Sequence, residues 1–195
     1  GEVDAMVIFG ECLTRGRGVD VDLAAAARWY DRAARAGEPV AMYRLGDFLL
    51  RGHGVAKDEA AAERWFRRAA AAGDVDAMLS LGALHFDREE HDRALALFRR
   101  AAAAGSPRGM FNLGSMTLHG QGVPRDPAAA AAWYRRAQEG DHDLGTFGLA
   151  CMLADGDGVP KDEAQALSML RGAAERDHVE SMIRLSRMLL VSRGE

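Results

Sequence analysis

Residues 41–73 read AMYRLGDFLLRGHGVAKDEAAAERWFRRAAAAG, and the pattern in this stretch decides the fold. The same pattern begins again at regular intervals along the 195-residue chain. Its six copies begin, in steps of 36, 36, 32, 36 and 36 residues, at Ala5, Ala41, Ala77, Gly109, Gly145 and Ser181. A repeat period of this length predicts a stack of similar units, each of which buries its apolar face against its neighbours.

Each copy predicts two helices, which we name helix A and helix B. In the second copy, Met42, Leu45 and Leu49 are spaced i, i+3 and i+7, so they lie on one face of helix A. A glycine-rich turn follows over residues 52–55, and Asp58 is placed to cap the start of helix B. The chain is thus predicted to contain five helix pairs and a last single helix A, which makes eleven helices.

Helix A carries a glycine at the same place in four copies, at Gly10, Gly46, Gly82 and Gly114. A glycine inside a helix costs about 1 kcal/mol relative to alanine. We therefore expect helix B to approach closely there with its bulky pair, which is Trp65-Phe66 in the second copy. Two further positions of helix B are alanine in all five copies, namely Ala26, Ala62, Ala94, Ala130 and Ala166, and Ala33, Ala69, Ala101, Ala137 and Ala173. Small residues beside large aromatic ones let packed helices interlock.

The period divides the chain into repeats at approximately 5–40, 41–76, 77–108, 109–144 and 145–180, with a partial repeat over 181–195. The third repeat is four residues shorter than the others and lacks the Gly-x-Gly-Val turn. We expect a tighter connection between its two helices. Because the first residues of the chain match the end of one repeat and the start of the next, we also expect the chain to be part of a longer protein.

Composition narrows the classes of function. Hydrophobic residues make up 48% of the chain, which is too many for a disordered protein. The net charge of −4, with acidic and basic residues interleaved, argues against nucleic acid as a partner, because phosphate binding needs a basic excess. Without an apolar run of the ~18 residues that a membrane helix needs, we expect no direct membrane insertion. The compartment and the oligomeric state stay open.

The chain has two cysteines, Cys12 and Cys151, in the first and fifth repeats. Stacked helix pairs advance by roughly 10 Å per repeat, whereas a disulfide needs Cα atoms within about 7 Å. We therefore expect both cysteines to act as small buried hydrophobic residues.

The repeated elements Ala-x-x-x-Leu-Gly, Gly-x-Gly-Val, Asp, Ala-x-x-Trp-Tyr and a closing Gly resemble the Sel-one-like repeat (SLR) family, a relative of the tetratricopeptide repeats. The resemblance covers the whole chain. It implies an all-α fold, a right-handed α/α superhelical solenoid in which helices A line the concave side. It also implies a scaffold or adaptor for proteins, often in bacterial signalling, envelope or host-interaction systems.

The concave face is the predicted binding surface. By analogy with tetratricopeptide repeats, it is lined by a few fixed positions of helix A. The candidate protein- or peptide-binding residues are Val7, Tyr43, Asp47, Arg51, Leu79, Phe111, Ser115, His119, Phe147 and Arg187. In this hypothesis the aromatic side chains anchor a peptide and the polar ones set its register. The alternative is that the apolar members pack against the next repeat and belong to the core.

The sequence predicts a protein that is not an enzyme and that needs no cofactor or metal. Its six histidines occur singly, and no Ser/His/Asp or Cys/His set can be placed in one cleft. Two alternatives stay open. The resemblance includes cysteine-rich proteins linked to β-lactam binding or hydrolysis, although this chain lacks their paired cysteines. The segment could also be a passive spacer within a larger protein.

Overall fold

The computed structural model describes residues 1–140 and 142–192. Within them the chain forms eleven α-helices and no strand, which confirms the predicted all-α class and the helix count. The helices are α1 (Glu2–Arg15), α2 (Leu23–Arg35), α3 (Pro39–Arg51), α4 (Glu59–Ala71), α5 (Val75–Asp87), α6 (His91–Ala103), α7 (Pro107–His119), α8 (Pro127–Glu139), α9 (Asp143–Asp155), α10 (Glu163–Ala174) and α11 (Val179–Ser192). Residues 141 and 193–195, which belong to the predicted fourth and partial sixth repeats, lie outside the described residues.

The chain divides into two compact units, Gly1–Arg88 with α1 to α5, and Glu89–Glu195 with α6 to α11. Within each unit, every helix packs against the next one along the chain. The division falls in the third repeat, where only the three residues from Arg88 to Glu90 join helix A to helix B. Seven residues, 52–58, make the same connection in the second repeat. The prediction of a tighter connection is confirmed.

Aspartate caps begin helix B in four repeats, as predicted. The Asp58 carboxylate accepts a hydrogen bond of 2.8 Å from the Ala61 N–H, and Asp22, Asp126 and Asp162 cap their helices in the same way. In the same four repeats, helix A ends at a glycine with φ between 67° and 73°, at Gly16, Gly52, Gly120 and Gly156. This left-handed conformation is one that glycine adopts without a steric penalty, so the turn that aims helix B back along helix A is set locally.

Aromatic rings of helix B lie against three of the four predicted helix A glycines, Gly10, Gly46 and Gly114. A Cβ atom added at Gly46 would lie 2.7 Å from the Phe66 ring, and one added at Gly114 would lie 2.7 Å from the Tyr134 ring. All ten of the alanines predicted to interlock the helices are 0% exposed. The predicted basis of the core, small residues facing large rings, is therefore confirmed in both units. Both cysteines are free and partly buried.

Candidate functional site

Four of the ten predicted surface residues line one cleft between α7 and α9, which we name the α7–α9 cleft. Phe111, Ser115 and His119 lie on successive turns of α7, at a spacing of four residues. Phe147 on α9 faces them across the cleft. Residues spaced by four project from one side of a helix, so the helical period of α7 places Phe111, Ser115 and His119 on the same side.

Phe111 and Phe147 are half-buried in the α7–α9 cleft, and each contacts another ring. The Phe111 ring stacks on the Tyr134 ring with centroids 5.6 Å apart and lies 5.5 Å from the His142 ring. The Phe147 ring lies 5.7 Å from the His178 ring. Phe111 and Phe147 thus pack partly on the core of their unit and also line the cleft.

Sequence reasoning did not include the rest of the cleft among the candidates. The cleft has a volume of about 310 Å³ and is completed by Leu118, Tyr134, Gly148, Cys151, Met152, Asp155 and Asp157. Leu118 lies seven residues after Phe111, and Cys151 and Asp155 follow Phe147 at four-residue steps, so helical spacing could have found these three. Tyr134 fits the core pattern instead, and Asp157 lies in a turn, where helical spacing makes no prediction.

The two acids at the rim of the α7–α9 cleft are already paired. Asp155 accepts a hydrogen bond of 2.5 Å from Arg184, and Asp157 accepts one of 2.7 Å from Arg125. Each carboxylate therefore has its charge balanced by an arginine of the same unit. The cleft offers an apolar floor with a rim whose charges largely cancel.

Burial sets the protonation of the groups inside the cleft. It raises the pKa of the Tyr134 phenol, an effect that a hydrogen bond with Ser115 opposes. It also raises the pKa of the Cys151 thiol, so this cysteine stays protonated near neutral pH. This shift does not activate Cys151 as a nucleophile, since a reactive cysteine needs a lowered pKa. Within the residues that the structure describes, no cluster of three or more His, Cys, Asp or Glu side chains is placed to hold a metal ion.

Five predicted surface residues lie in the Gly1–Arg88 unit. Tyr43 is half-buried, with its ring 5.8 Å from the Phe66 ring. Asp47 accepts a hydrogen bond of 2.6 Å from Arg51 one turn later on α3. Val7 is half-buried on α1. Leu79 is only 4% exposed, so it belongs to the core of this unit and is not available as a surface contact.

The tenth predicted residue, Arg187, is exposed on α11 and lines a smaller cleft of about 270 Å³ with Ala154, Lys161, Glu163 and Met188. The same cleft includes the ion pair between Asp155 and Arg184. Its lining is mostly polar or charged, which distinguishes it from the α7–α9 cleft.

The fold is built from helix pairs that stack through glycine and alanine contacts. A cleft lies between two successive helices A, α7 and α9. These features define a helical repeat scaffold. The sequence model of the Sel1 repeat matches residues 3–38, 39–74, 75–106, 107–142 and 144–178. The chain belongs to the Sel1 repeat family. Sel1 and TPR-like repeats are generally scaffolds without enzymatic activity that bind proteins or peptides.

Solved structures of bacterial proteins resemble the chain closely. One of them is c5321, a protective antigen present in uropathogenic Escherichia coli strains that displays an SLR fold. Its sequence is 32% identical to this chain, and its structure matches with a TM-score of 0.86. The match covers 96% of this chain and 41% of c5321. A Sel1 repeat protein from Oxalobacter formigenes is 29% identical with a TM-score of 0.91, over 95% of this chain and 78% of that one. This chain thus spans about two fifths of c5321.

YrrB, described as a TPR protein with an unusual peptide-binding site, is 21% identical with a TM-score of 0.53, over 92% of this chain and 89% of YrrB. That likeness shows a shared fold. A comparison with curated proteins gave no match. Among the described helices, none is both long and apolar enough to cross a bilayer.

Proposed function

We propose that this chain is a non-enzymatic scaffold or adaptor that presents its helices A to a protein or peptide partner, with the α7–α9 cleft as a binding site. The observation that carries the proposal is the meeting of Phe111, Ser115, His119 and Phe147, chosen from their repeat positions alone, in one cleft. An apolar cleft with a few polar groups is the usual form of a site that takes a partner's side chain.

The chemistry of the cleft favours an apolar anchor residue of the partner. Its floor is formed by Phe111, Leu118, Phe147 and Met152, and its rim acids are balanced by arginines. Burying one leucine-sized or phenylalanine-sized side chain contributes about 1.5–3 kcal/mol. Ser115 and His119 at the same cleft can exchange hydrogen bonds with the partner's main chain, which would fix its direction.

The apolar side chains of the cleft are packed against the core of their unit. The Phe111 ring contacts the rings of Tyr134 and His142, and Tyr134 is 4% exposed. A site that is already ordered does not have to lose conformational freedom on binding, so most of the ordering cost falls on the partner. The peptide-binding site described for YrrB, on a related fold, supports this type of function.

The protonated state of Cys151 supports a role without catalysis. Burial raises the pKa of its thiol, which is the opposite of what an attacking thiolate requires. Incubation with a chromogenic β-lactam should give no hydrolysis above the rate in buffer. Hydrolysis that disappears in a Cys151→Ser variant would replace the scaffold proposal with an enzymatic one.

The proposal is tested by selecting peptides from a displayed library of random dodecapeptides and measuring their affinities by fluorescence anisotropy. Phe111→Ala removes the anchor wall, and His119→Trp blocks the mouth of the cleft from an exposed position. Phe9→Ala is the matched control, because Phe9 is an exposed ring on another helix A, outside the cleft.

We expect the two cleft variants to bind the selected peptides at least about tenfold more weakly, because one anchor contact is lost, and the control to change less than about threefold. Helical content by circular dichroism is measured for each variant, so that loss of fold is separated from loss of binding. If Phe111→Ala and His119→Trp bind the peptides as tightly as Phe9→Ala does, the cleft is not the binding site. A library without any enriched peptide would favour the spacer alternative.

A further inference from the structure

The Gly1–Arg88 unit contains a second and larger groove, on its helix B side. It lies between α2 and α4, has a volume of about 640 Å³ and is distinct from the α7–α9 cleft. Its floor is apolar, formed by Leu45 and Leu49 of α3, Val55 of the following turn, and Ala61 and Trp65 of α4. We name it the α2–α4 groove.

One wall of the α2–α4 groove is a row of arginines. Arg28, Arg32 and Arg35 project from α2 along the apolar floor, and all three are exposed. Arg35 donates a hydrogen bond of 2.7 Å to Asp31. Arg28 and Arg32 have no carboxylate partner among the described residues, and the Arg32 guanidinium lies 4.6 Å from the centre of the Trp29 ring. Two positive charges along this wall are therefore not neutralised by the unit itself.

The combination of three arginines occurs in α2 alone among the helices B, although the position of Arg32 is arginine again at Arg68, Arg100 and Arg136. The position of Arg35 holds alanine or glutamate in the other helices B, at Ala71, Ala103, Glu139 and Glu175. The position of Arg28 holds arginine again only at Arg64. Arg32 therefore belongs to the common repeat pattern and stacks on Trp29 as Arg68 stacks on Trp65, whereas Arg28 and Arg35 are additions to that pattern that core packing does not require.

We propose that the α2–α4 groove binds an acidic amphipathic segment of a protein partner. Apolar side chains of the segment pack on Leu49, Val55 and Trp65, and its carboxylates pair with Arg28 and Arg32. Arginine pairs with carboxylates through two parallel N–H donors, which gives such a contact direction as well as strength.

Charge and floor together select this occupant over a nucleic acid. The chain as a whole carries a net charge of −4, and only two unpaired arginines face the groove, so few phosphates could be neutralised. Aliphatic side chains of a protein match Leu49 and Val55, which a sugar–phosphate backbone does not. The inference concerns a different surface from the proposed function and does not rest on it.

The test uses the same random dodecapeptide library, selected on the full chain carrying Phe111→Ala, so that the α7–α9 cleft does not dominate the selection. Selected peptides are synthesised with a fluorescent label and titrated by anisotropy against three proteins: that parent, the parent with Arg28→Glu and Arg32→Glu, and the parent with Arg135→Glu and Arg136→Glu. The last pair makes the same charge reversal on exposed arginines of α8, outside the groove.

We expect enrichment of peptides that combine aspartate or glutamate with leucine, phenylalanine or tryptophan. Their affinity should fall at least about tenfold with the Arg28 and Arg32 reversal and less than about threefold with the α8 control, while both variants keep the parent's circular dichroism spectrum. An Arg28→Gln and Arg32→Gln variant replaces the reversal if the latter is misfolded, and it should weaken binding in the same direction.

Three results would overturn the inference. One is a selection without an acidic and apolar consensus, and another is an affinity unchanged by both Arg28 and Arg32 variants. The third is displacement of the bound peptide by a twelve-nucleotide oligothymidine at equal concentration, which would identify a phosphate site. Because the parent already lacks Phe111, a failure here leaves the α7–α9 cleft untouched, and a failure of the cleft leaves this test valid.

Discussion

Replacing Gly114 by alanine tests whether the helices interlock as the structure shows. The added Cβ would lie 2.7 Å from two ring carbons of Tyr134 and 3.3 Å from the Ala130 carbonyl oxygen. The ring cannot turn away freely, because Tyr134 is 4% exposed and stacked on Phe111. Helix propensity favours alanine by about 1 kcal/mol, whereas overpacking of a close contact costs roughly 1–3 kcal/mol. The net expectation is a destabilisation of about 1 kcal/mol.

Gly172→Ala is the matched control, because it makes the same substitution inside α10, where the nearest atom to the added Cβ is the end of the Arg176 side chain at 3.9 Å. Without a clash, the change should stabilise the chain by up to about 1 kcal/mol. Melting followed by circular dichroism should place Gly114→Ala several degrees below Gly172→Ala, since 1 kcal/mol shifts the melting temperature of a chain of this size by about 2–4 °C.

The clash can be removed separately. In a Tyr134→Ala background the opposing ring is absent, so Gly114→Ala should become neutral or stabilising. The reasoning is refuted if Gly114→Ala melts at or above Gly172→Ala, or if its effect is the same with and without the Tyr134 ring.

Three further predictions concern pH, capping and thiol reactivity. Burial, with a smaller contribution from Arg108, lowers the pKa of His142 in the folded chain, and its Nδ1 accepts the Gly145 N–H. The stability that neutral His142 contributes is therefore present above pH ~6.5 and lost as the pH falls through the lowered pKa. Between about pH 7.5 and 5.5, the melting temperature of His142→Asn should therefore fall less than that of the unmodified chain. The same fall in both proteins would contradict this. Asp126→Ala removes the cap of α8 and should cost about 0.5–2 kcal/mol in urea unfolding, whereas Glu139→Ala, at the exposed end of α8, should cost less; equal costs would be inconsistent with a cap. Because burial raises the pKa of Cys151, iodoacetamide should alkylate it more slowly in the folded chain than in urea, as read by mass spectrometry; equal rates would argue against its burial.

The repeated columns of the sequence predict the core well, because each copy restates the same steric requirement. Gly46 against Phe66 and Gly114 against Tyr134 are one contact in two repeats, so a pattern of glycine and aromatic residues is enough to find both. Caps such as Asp58 are predictable for a similar reason, since an N-cap depends on the few residues that follow it.

The candidate surface is less predictable, because helical period fixes the side of a helix on which a residue lies but not how deeply its neighbours cover it. Leu79 and Phe111 occupy the same repeat position, yet Leu79 is 4% exposed and Phe111 is half-buried. Likewise, the turn residue Asp157 joins the α7–α9 cleft through folding of the chain after α9, which no helical pattern describes.

The central claim, that helices A of the fourth and fifth repeats form a peptide-binding site, is tested most directly by a ¹⁵N–¹H correlation titration. The ¹⁵N-labelled chain is titrated with a peptide from the dodecapeptide library. This peptide is selected on the variant with Arg28→Glu and Arg32→Glu, so that the selection favours surfaces other than the α2–α4 groove. The account predicts saturable shifts centred on the amides of Ser115, His119 and Cys151, abolished by His119→Trp. Shifts centred elsewhere, or unchanged by His119→Trp, would contradict it.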